Sequence, residues 1–490
     1  MIPKIPKFKV LHEEDIRRVH ETSLRILSEV GCRFYHEKAL KTLDQAGARV
    51  DYKESLVRFP EELVREAIKR NPSQFECTAR NPKHDITIGD GNVYFTNGFG
   101  AISVLDVTSG KARPCRLDDL EKFTLLCDAL ENVHWIIPHC VPQDVPKDAC
   151  DRYMAMAMLK NTSKHLTLTP FSPDGLRDIL KMAAITLGGE EEFRKNPTIV
   201  DTGGQPTSPL QYGHEAIEYL MLACDYKTIV GICVGPIAGA TAPATLAATV
   251  AQGNAEFLAG LVLCETLNPG TPVLYGSMAT IIDPRRGAYA YGTPELTLMN
   301  VASKQMAEHY SMPFYGTGGT IDSPVPDAQA AYETTMSNLL EATGGVEVIH
   351  DGVYGILESA KTACYEQLII SHEVAGMCNR ILKGIEVNDK TLAFDLIKEV
   401  GPGRSFLEVH KSVRFLREVI SQEYWLPELT ARVSSRREWE AKGSKDMVQR
   451  ARDEVDRILK EHVPDPPLES SVVEQLNEVV AGSLSGARKA

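Results

Sequence analysis

Residues 228–278 read TIVGICVGPIAGATAPATLAATVAQGNAEFLAGLVLCETLNPGTPVLYGSM. They open on a short β-branched run, Thr228–Val234, which has the composition of a strand. Gly235-Pro236 ends it. From about Pro243 to Leu267 the chain is apolar and rich in helix-forming Ala and Leu. Gln252, Asn254, Glu256 and Glu265 interrupt this stretch, so it reads as a buried helix and not as a bilayer span. Pro272–Tyr275 is a second strand, closed by Gly276-Ser277-Met278. Strand, helix and strand in this order form a unit that lays two parallel strands side by side.

The unit recurs. Further strand-like runs are Val93–Thr96, His134–His139, His165–Thr169, Thr198–Asp201, Pro313–Tyr315 and Val346–His350. Helices are expected to start near Leu117, Ala149, Pro173, Tyr212, Pro243, Pro294, Asp327 and Ser359. Eight such units in about 290 residues match a (β/α)8 barrel of the TIM type. A doubly wound sheet is the rival, but it usually carries Gly-x-Gly-x-x-Gly after its first strand, and Gly316-Thr-Gly-Gly has the wrong spacing and comes late. Val104–Arg113 suggests a hairpin inserted after the first strand. The expected organisation is an N-terminal α+β domain over 1–90, the barrel over 91–380, and a C-terminal helical region over 381–490. In the first, helices are expected over His12–Val30, Glu37–Gln45 and from Pro60, with Val50–Phe59 strand-like. In the last, Arg436–Glu461 is a charged helix with an apolar stripe at Met447, Ala451, Val455 and Leu459.

Composition narrows the function. The 490 residues carry 53 basic and 66 acidic side chains, a net charge of −13, so no positive field draws a polyanion and nucleic acid is not an expected partner. Eleven cysteines without a Cys-x-x-Cys read as reduced thiols. The N-terminus MIPKIPKFKVLHEED has no apolar core of a secretory signal. A cytoplasmic protein, off the membrane, is expected.

In a barrel of this type the site lies at the C-terminal ends of the strands. Those ends are rich in glycine and aromatic residues and poor in metal ligands. They include Asn97-Gly98-Phe99, Thr169-Pro170-Phe171, Asp201-Thr-Gly-Gly204-Gln205, Tyr275-Gly276, Tyr315-Gly-Thr-Gly318-Gly319-Thr-Ile-Asp322, and His350-Asp351-Gly352-Val353-Tyr354. Glycine lets another backbone or a flat ligand approach closely, although it also serves simple tight turns. Aromatic rings suit a quaternary ammonium, at about 0.5–2 kcal/mol per ring, although such rings also fill barrel cores. His350 suits acid–base work or an anionic substrate group. Asp201 and Asp322 suit a cation counter-charge or a helix cap. His134 and His139 are five apart and fall on opposite faces, so no metal of the protein's own is expected.

The run Tyr315-Gly-Thr-Gly-Gly-Thr-Ile-Asp322-Ser323-Pro-Val-Pro-Asp327-Ala-Gln329-Ala-Ala-Tyr-Glu333 resembles the trimethylamine methyltransferase family. So do Pro272–Met278, Asp201–Ser208 and His350-Asp351-Gly352, and the resemblance covers nearly the whole chain. It implies a (β/α)8 barrel that moves a methyl group from a methylated amine to the Co(I) corrinoid (cobalamin) of a separate carrier protein. The founding members act on trimethylamine and use pyrrolysine. This sequence holds only the standard twenty residues, which resembles family members that demethylate quaternary amines such as glycine betaine, proline betaine or carnitine. On that resemblance, Phe99, Phe171, Tyr275, Tyr315 and Tyr354 are expected to cage the ammonium. His350, Asp201 and Gln205 are the expected catalytic residues; His350, Gln205 or Asn97 would hold a betaine carboxylate, and Asp201 and Asp322, candidates for tuning the field, are expected to shape loops more than to drive chemistry. Gly204, Gly276, Gly318, Gly319 and Asp322 would face the corrinoid. Self-association into a homo-oligomer is expected. Trimethylamine or another methylated amine as donor, a barrel lyase or aldolase, and a betaine-binding protein are the alternatives. No strand ends on a Schiff-base lysine, which disfavours the lyase.

Overall fold

The computed structural model describes residues 3–195, 199–201, 204–409 and 423–486. Eight parallel strands close a barrel in chain order: β1 Tyr94–Asn97, β2 Trp135–Ile136, β3 His165–Thr167, β4 Ile199–Asp201, β5 Ile229–Val234, β6 Val273–Ser277, β7 Phe314–Thr317 and β8 Val348–Val353. Strand β8 pairs back onto β1 and β1 onto β2, so the sheet has no free edge. The helices that follow the strands are α1 Leu117–Ala129, α2 Cys150–Asn161, α3 Pro173–Thr186, α4 His214–Tyr226, α5 Leu246–Leu267, α6 Pro294–His309, α7 Ala328–Gly344 and α8 Tyr365–Leu382. The expected barrel is therefore present, and each expected strand falls on an observed one.

Local chemistry sets the helix starts. Ser172 Oγ accepts the Gly175 N–H at 3.0 Å, and Asp327 accepts the N–H groups of Gln329 and Ala330 at 2.9 and 3.2 Å. Helix α8 begins later than expected because Ile356–Leu357 and Thr362–Ala363 form a hairpin first. That hairpin joins the one inserted after β1, Ser103–Asp106 with Lys111–Pro114, in one four-stranded sheet.

Helix α5 is buried nearly all round. It lies between the barrel and the N-terminal layer, where the helices Glu13–Arg25 and Glu61–Arg70 cover it. Its polar residues are paired: Asn254 Nδ2 donates to Ser23 Oγ at 2.9 Å and to the Tyr310 hydroxyl at 2.8 Å. It is the one described helix long and apolar enough to cross a membrane, and the protein itself covers it.

Two local expectations are corrected. Val50–Phe59 is not one strand but a hairpin, Arg49–Asp51 with Leu56–Arg58. Asp51 Oδ1 accepts the N–H groups of Lys53 and Glu54 at 3.1 and 3.2 Å, which turns the chain. Arg436–Glu461 is two helices, Arg436–Ala441 and Met447–Glu461, broken where Gly443 takes φ +93°. In the second, Ile458 is buried more deeply than the expected Leu459.

The interior of the barrel holds a separate small core. A hairpin, Phe75–Cys77 with Ile86–Ile88, packs into it with Trp135, Ile229, Leu274, Tyr315 and Val348. His165 Nδ1 meets the Thr78 carbonyl at 2.9 Å, and the Asn71 amide bonds both N–H and C=O of Val273. These contacts lie at the strand starts. The hairpin thus plugs the N-terminal end and leaves the other end for a site.

Candidate active site

Side chains alternate along a strand, so every second residue of each barrel strand points inward. Trp135 and Ile137, Thr167 and Thr169, Cys233 and Gly235, and Leu274 and Met278 follow that rule, joined by Tyr315 and His350. Above the plug all of these but Trp135 and Leu274 line a cavity of about 540 Å³ at the C-terminal ends, whose wall also includes Phe99, Gln205, Pro206, Thr207, Ser208, Tyr219, Ile237 and Thr241. A larger hollow of about 680 Å³ lies outside the barrel, between α2, α3 and the C-terminal helix Ser470–Gly486, away from the strand ends. Among the described residues the inner cavity wall carries no Lys, Arg, Asp or Glu.

The last strand shapes one wall. The four steps from Ile349 to Val353 face the two from Phe95 to Asn97, a bulge in the pairing. Asp351 takes φ +65° there, a left-handed conformation uncommon outside glycine. Consecutive strand residues normally point apart, yet here Asp351 Oδ2 lies 3.2 Å from His350 Nδ1. Their angle does not make a hydrogen bond, because His350 Nδ1 and Asp351 Oδ1 remain without one among the described residues. The Tyr291 hydroxyl donates to Asp351 Oδ2 at 3.3 Å, and the Asp351 N–H donates to Thr96 Oγ1 at 3.1 Å. The His350 ring sits 4.8 Å from that of Tyr315, which itself lies 5.9 Å from the ring of Trp135. The result is an imidazole at the cavity wall backed by a buried carboxylate.

Of the expected substrate residues, Phe99, Tyr315, His350 and Gln205 come together on the cavity. The others do not. Tyr275 points out of the barrel, stacked on Phe257 at 3.9 Å with its hydroxyl on Asn254 Oδ1, because it alternates with the inward Leu274. Asn97 is buried and used by backbone: its amide donates to the carbonyls of Gly98 and Ile137 and accepts the Ile137 N–H at 2.8 Å. Tyr354 lies beyond the bulge, wholly buried beside Tyr291. Phe171 stands on the loop after β3, 43% exposed and off the lining. Asp201 ends β4, but its side chain lies outside the described residues.

The expected corrinoid-facing glycines sit at closely packed positions. A Cβ at Gly204 would meet the Leu220 side chain, at Gly276 the Cys233 backbone at 2.8 Å, and at Gly319 the Asp351 carbonyl at 2.3 Å. At Gly318 it would meet Ile349, and the space outside it holds Asn338 and the carboxyl of Glu341. Asp322 holds loops: it accepts the N–H groups of Tyr291 and Gly292, at 2.9 and 3.0 Å, and the Ser359 hydroxyl. Burial pushes Glu341 well above the usual carboxylate range, with Asp351 adding to it.

Residues outside the expected set complete the wall. Thr167 and Thr169 were legible as same-face partners two apart, and Cys233 and Met278 by the same period. Tyr219 arrives from α4 with no signal along the strands. Thr167 Oγ1 accepts the Trp135 Nε1–H at 2.7 Å, which orients its own hydroxyl elsewhere, and Thr169 Oγ1 has no partner among the described residues. Gln205 ties β4 to β5: its Oε1 accepts the Cys233 N–H at 2.5 Å and its Nε2 donates to the Gly231 carbonyl at 3.3 Å. Burial pushes the Cys233 thiol up, away from the thiolate form. Outside the barrel, His36, His214 and Glu218 cluster.

Residues 1–484 match the family model described as trimethylamine methyltransferase. The chain is 33% identical over 468 residues to a trimethylamine methyltransferase of Desulfitobacterium hafniense, covering 96% of this chain and 92% of the relative. It is 34% identical over 479 residues to a glycine betaine methyltransferase of the same species, covering 97% of each. A trimethylamine methyltransferase of Methanosarcina barkeri is 33% identical over 87% of this chain and 86% of its own. A solved hydroxylamine complex of MtmB shares the fold, with a TM-score of 0.50 at 14% identity, over 93% of this chain and 90% of that one.

Proposed function

Because this chain belongs to the trimethylamine methyltransferase family, and is thereby a methyltransferase, we propose that its donor is a quaternary amine, glycine betaine first. The acceptor is the Co(I) corrinoid of a separate carrier protein, and the products are methyl-Co(III) and the tertiary amine. The observation that carries this reading is the cavity wall, whose described lining residues offer rings and hydroxyls but no carboxylate, lysine or arginine.

The chemistry explains that wall. A quaternary nitrogen is already a leaving group, so displacement of its methyl needs no proton at the nitrogen. The acceptor supplies the nucleophile. The protein supplies position, since a methyl aimed along the line of attack replaces a costly encounter. The faces of Phe99, Tyr219 and Tyr315 hold the cation by attraction of about 0.5–2 kcal/mol per ring. As the bond breaks the nitrogen loses its positive charge. A carboxylate on the wall would hold the substrate more tightly than the transition state, and would slow the reaction.

The betaine carboxylate needs a partner at the other end. His350 and the hydroxyls of Thr167 and Thr169 are the polar groups for it, and Gln205 acts by positioning β5. The exposed ring of Phe99 gives the mouth an apolar edge for a flat macrocycle.

The test follows Co(I) absorbance with the cognate carrier and a panel of glycine betaine, proline betaine, carnitine, tetramethylammonium and trimethylamine. Conversion to methyl-Co(III) with a betaine supports the reading. Conversion with trimethylamine alone would move the donor to a tertiary amine, and no conversion with any amine would sink it. His350→Ala should weaken betaines by about tenfold or more, as for a lost charged hydrogen bond, and leave tetramethylammonium little changed. Equal loss for both would make His350 structural.

A further inference from the structure

We propose that His36, His214 and Glu218 bind a divalent transition-metal ion, Zn2+ by donor type, which ties the N-terminal layer to the loop that walls the cavity. The fold itself brings the three together. Cys32–Phe34 pairs in parallel with Gln211–Tyr212, Arg33 opposite Gln211 and Phe34 opposite Tyr212. The ladder continues as the Tyr35 N–H donates to the Tyr212 carbonyl at 3.1 Å. The same register carried two residues past the last pair sets His36 beside His214, and their rings lie 4.8 Å apart. Glu218 is four residues after His214 on α4, hence on the same helix face.

The donor atoms converge. One ligand atom from each of the three lies within 4.8 Å of the others, and His36 Nε2 is 2.6 Å from Glu218 Oε1. Tetrahedral Zn2+ with bonds of about 2.0–2.1 Å holds its ligands roughly 3.3 Å apart. His36 and Glu218 must part slightly, and His214 must swing in. His214 is exposed and makes no side-chain hydrogen bond among the described residues, so it is free to do so. Two imidazoles and one carboxylate leave the fourth position to water, a donor set known for zinc.

The costs are visible. His36 Nδ1 accepts the Ala39 N–H at 3.3 Å, so its proton now sits on Nε2 facing Glu218. Metal on Nε2 shifts that proton to Nδ1 and gives up a long cap. Arg177 lies 3.9 Å from the other Glu218 oxygen and competes weakly for it. The gain is position: Thr207 and Ser208 line the cavity and Gln211–Tyr212 joins the N-terminal strand, so an ion beside His214 fastens the loop between them.

The test uses the whole chain after chelation. Added Co2+ should give visible d–d absorption that Zn2+ abolishes, and Zn2+ should raise the thermal midpoint. His214→Ala, at an exposed position that leaves the fold intact, should lose both signals, while Glu215→Gln on the neighbouring exposed residue keeps both. Absence of absorption and of a thermal shift in the unaltered chain would overturn the site. So would signals that persist in His214→Ala, which would put the ion elsewhere. Neither readout depends on methyl transfer.

Discussion

Phe99 and Tyr354 look alike in the sequence, each an aromatic residue at a strand end, yet the fold gives them different tasks. Phe99 is 36% exposed at the mouth of the cavity, while Tyr354 is wholly buried among Tyr291 and the chain around Gly98. Phe99→Ala should therefore raise the half-saturating amine concentration several-fold, as expected for losing one ring worth about 0.5–2 kcal/mol, with the thermal midpoint unchanged. Tyr354→Ala should cost about 3–5 kcal/mol of stability by opening a cavity. Steady-state kinetics and urea unfolding separate the two, and a stable Tyr354→Ala protein with a raised half-saturating concentration would contradict the assignment. The alternation that sends Tyr315 inward and Tyr275 outward is a matter of strand register, and one residue of slip exchanges the faces. Composition showed that rings gather at the strand ends but not which of them face the cavity. Asn97 was misread for a related reason, since an amide at a strand end serves backbone as readily as it serves a ligand.

At the scale of elements, strands and helices were legible because each repeats a local pattern, whereas the bulge in β8 was not. It depends on Asp351 at φ +65°, stabilised by Thr96 and Tyr291 from other segments. Helix α5 shows a second case. Its Glu256 interrupts an apolar run, which in sequence only argued against a bilayer span. In the structure its carboxyl accepts the Ser208 hydroxyl at 2.7 Å and the N–H of Leu210 at 2.9 Å, and so holds the loop whose Thr207 and Ser208 line the cavity. Glu256→Ala leaves those donors unpaired and should cost about 1–3 kcal/mol per buried group. It should also raise the half-saturating amine concentration. A loss of stability with unchanged kinetics would show that the loop keeps its shape without this support. The glycines follow the same logic: Gly276 and Gly319 are small because strands and loops crowd them, which no single-strand reading reveals.

Across the whole molecule, the buried histidines set the response to acid. Burial lowers His134 and His139 from 6.5 to about 3, and His165 to about 4. Between those values and 6.5 each of these rings binds a proton in the unfolded chain and none in the folded one, while Glu341, raised by burial, pulls the other way as a single group. The histidine contribution is thus complete above about pH 6.5 and declines as pH falls, by up to about 1.4 kcal/mol per pH unit for each such ring. Urea midpoints at pH 7.5, 6.5 and 5.5 should be level between the first two and fall at the third. A flat series would show that these rings accept protons in the folded state.

The hairpin Phe75–Cys77 with Ile86–Ile88 fills the start of the barrel, so among the described residues the cavity opens at the strand ends. A vessel with one door imposes an itinerary. On the proposed reaction the corrinoid carrier stands in that doorway, so the amine enters before it arrives and leaves after it departs. Product amine should accordingly compete with substrate amine for the empty enzyme, and excess acceptor should slow turnover by blocking the exit. Initial-rate patterns showing random arrival would mean that a second passage opens during catalysis.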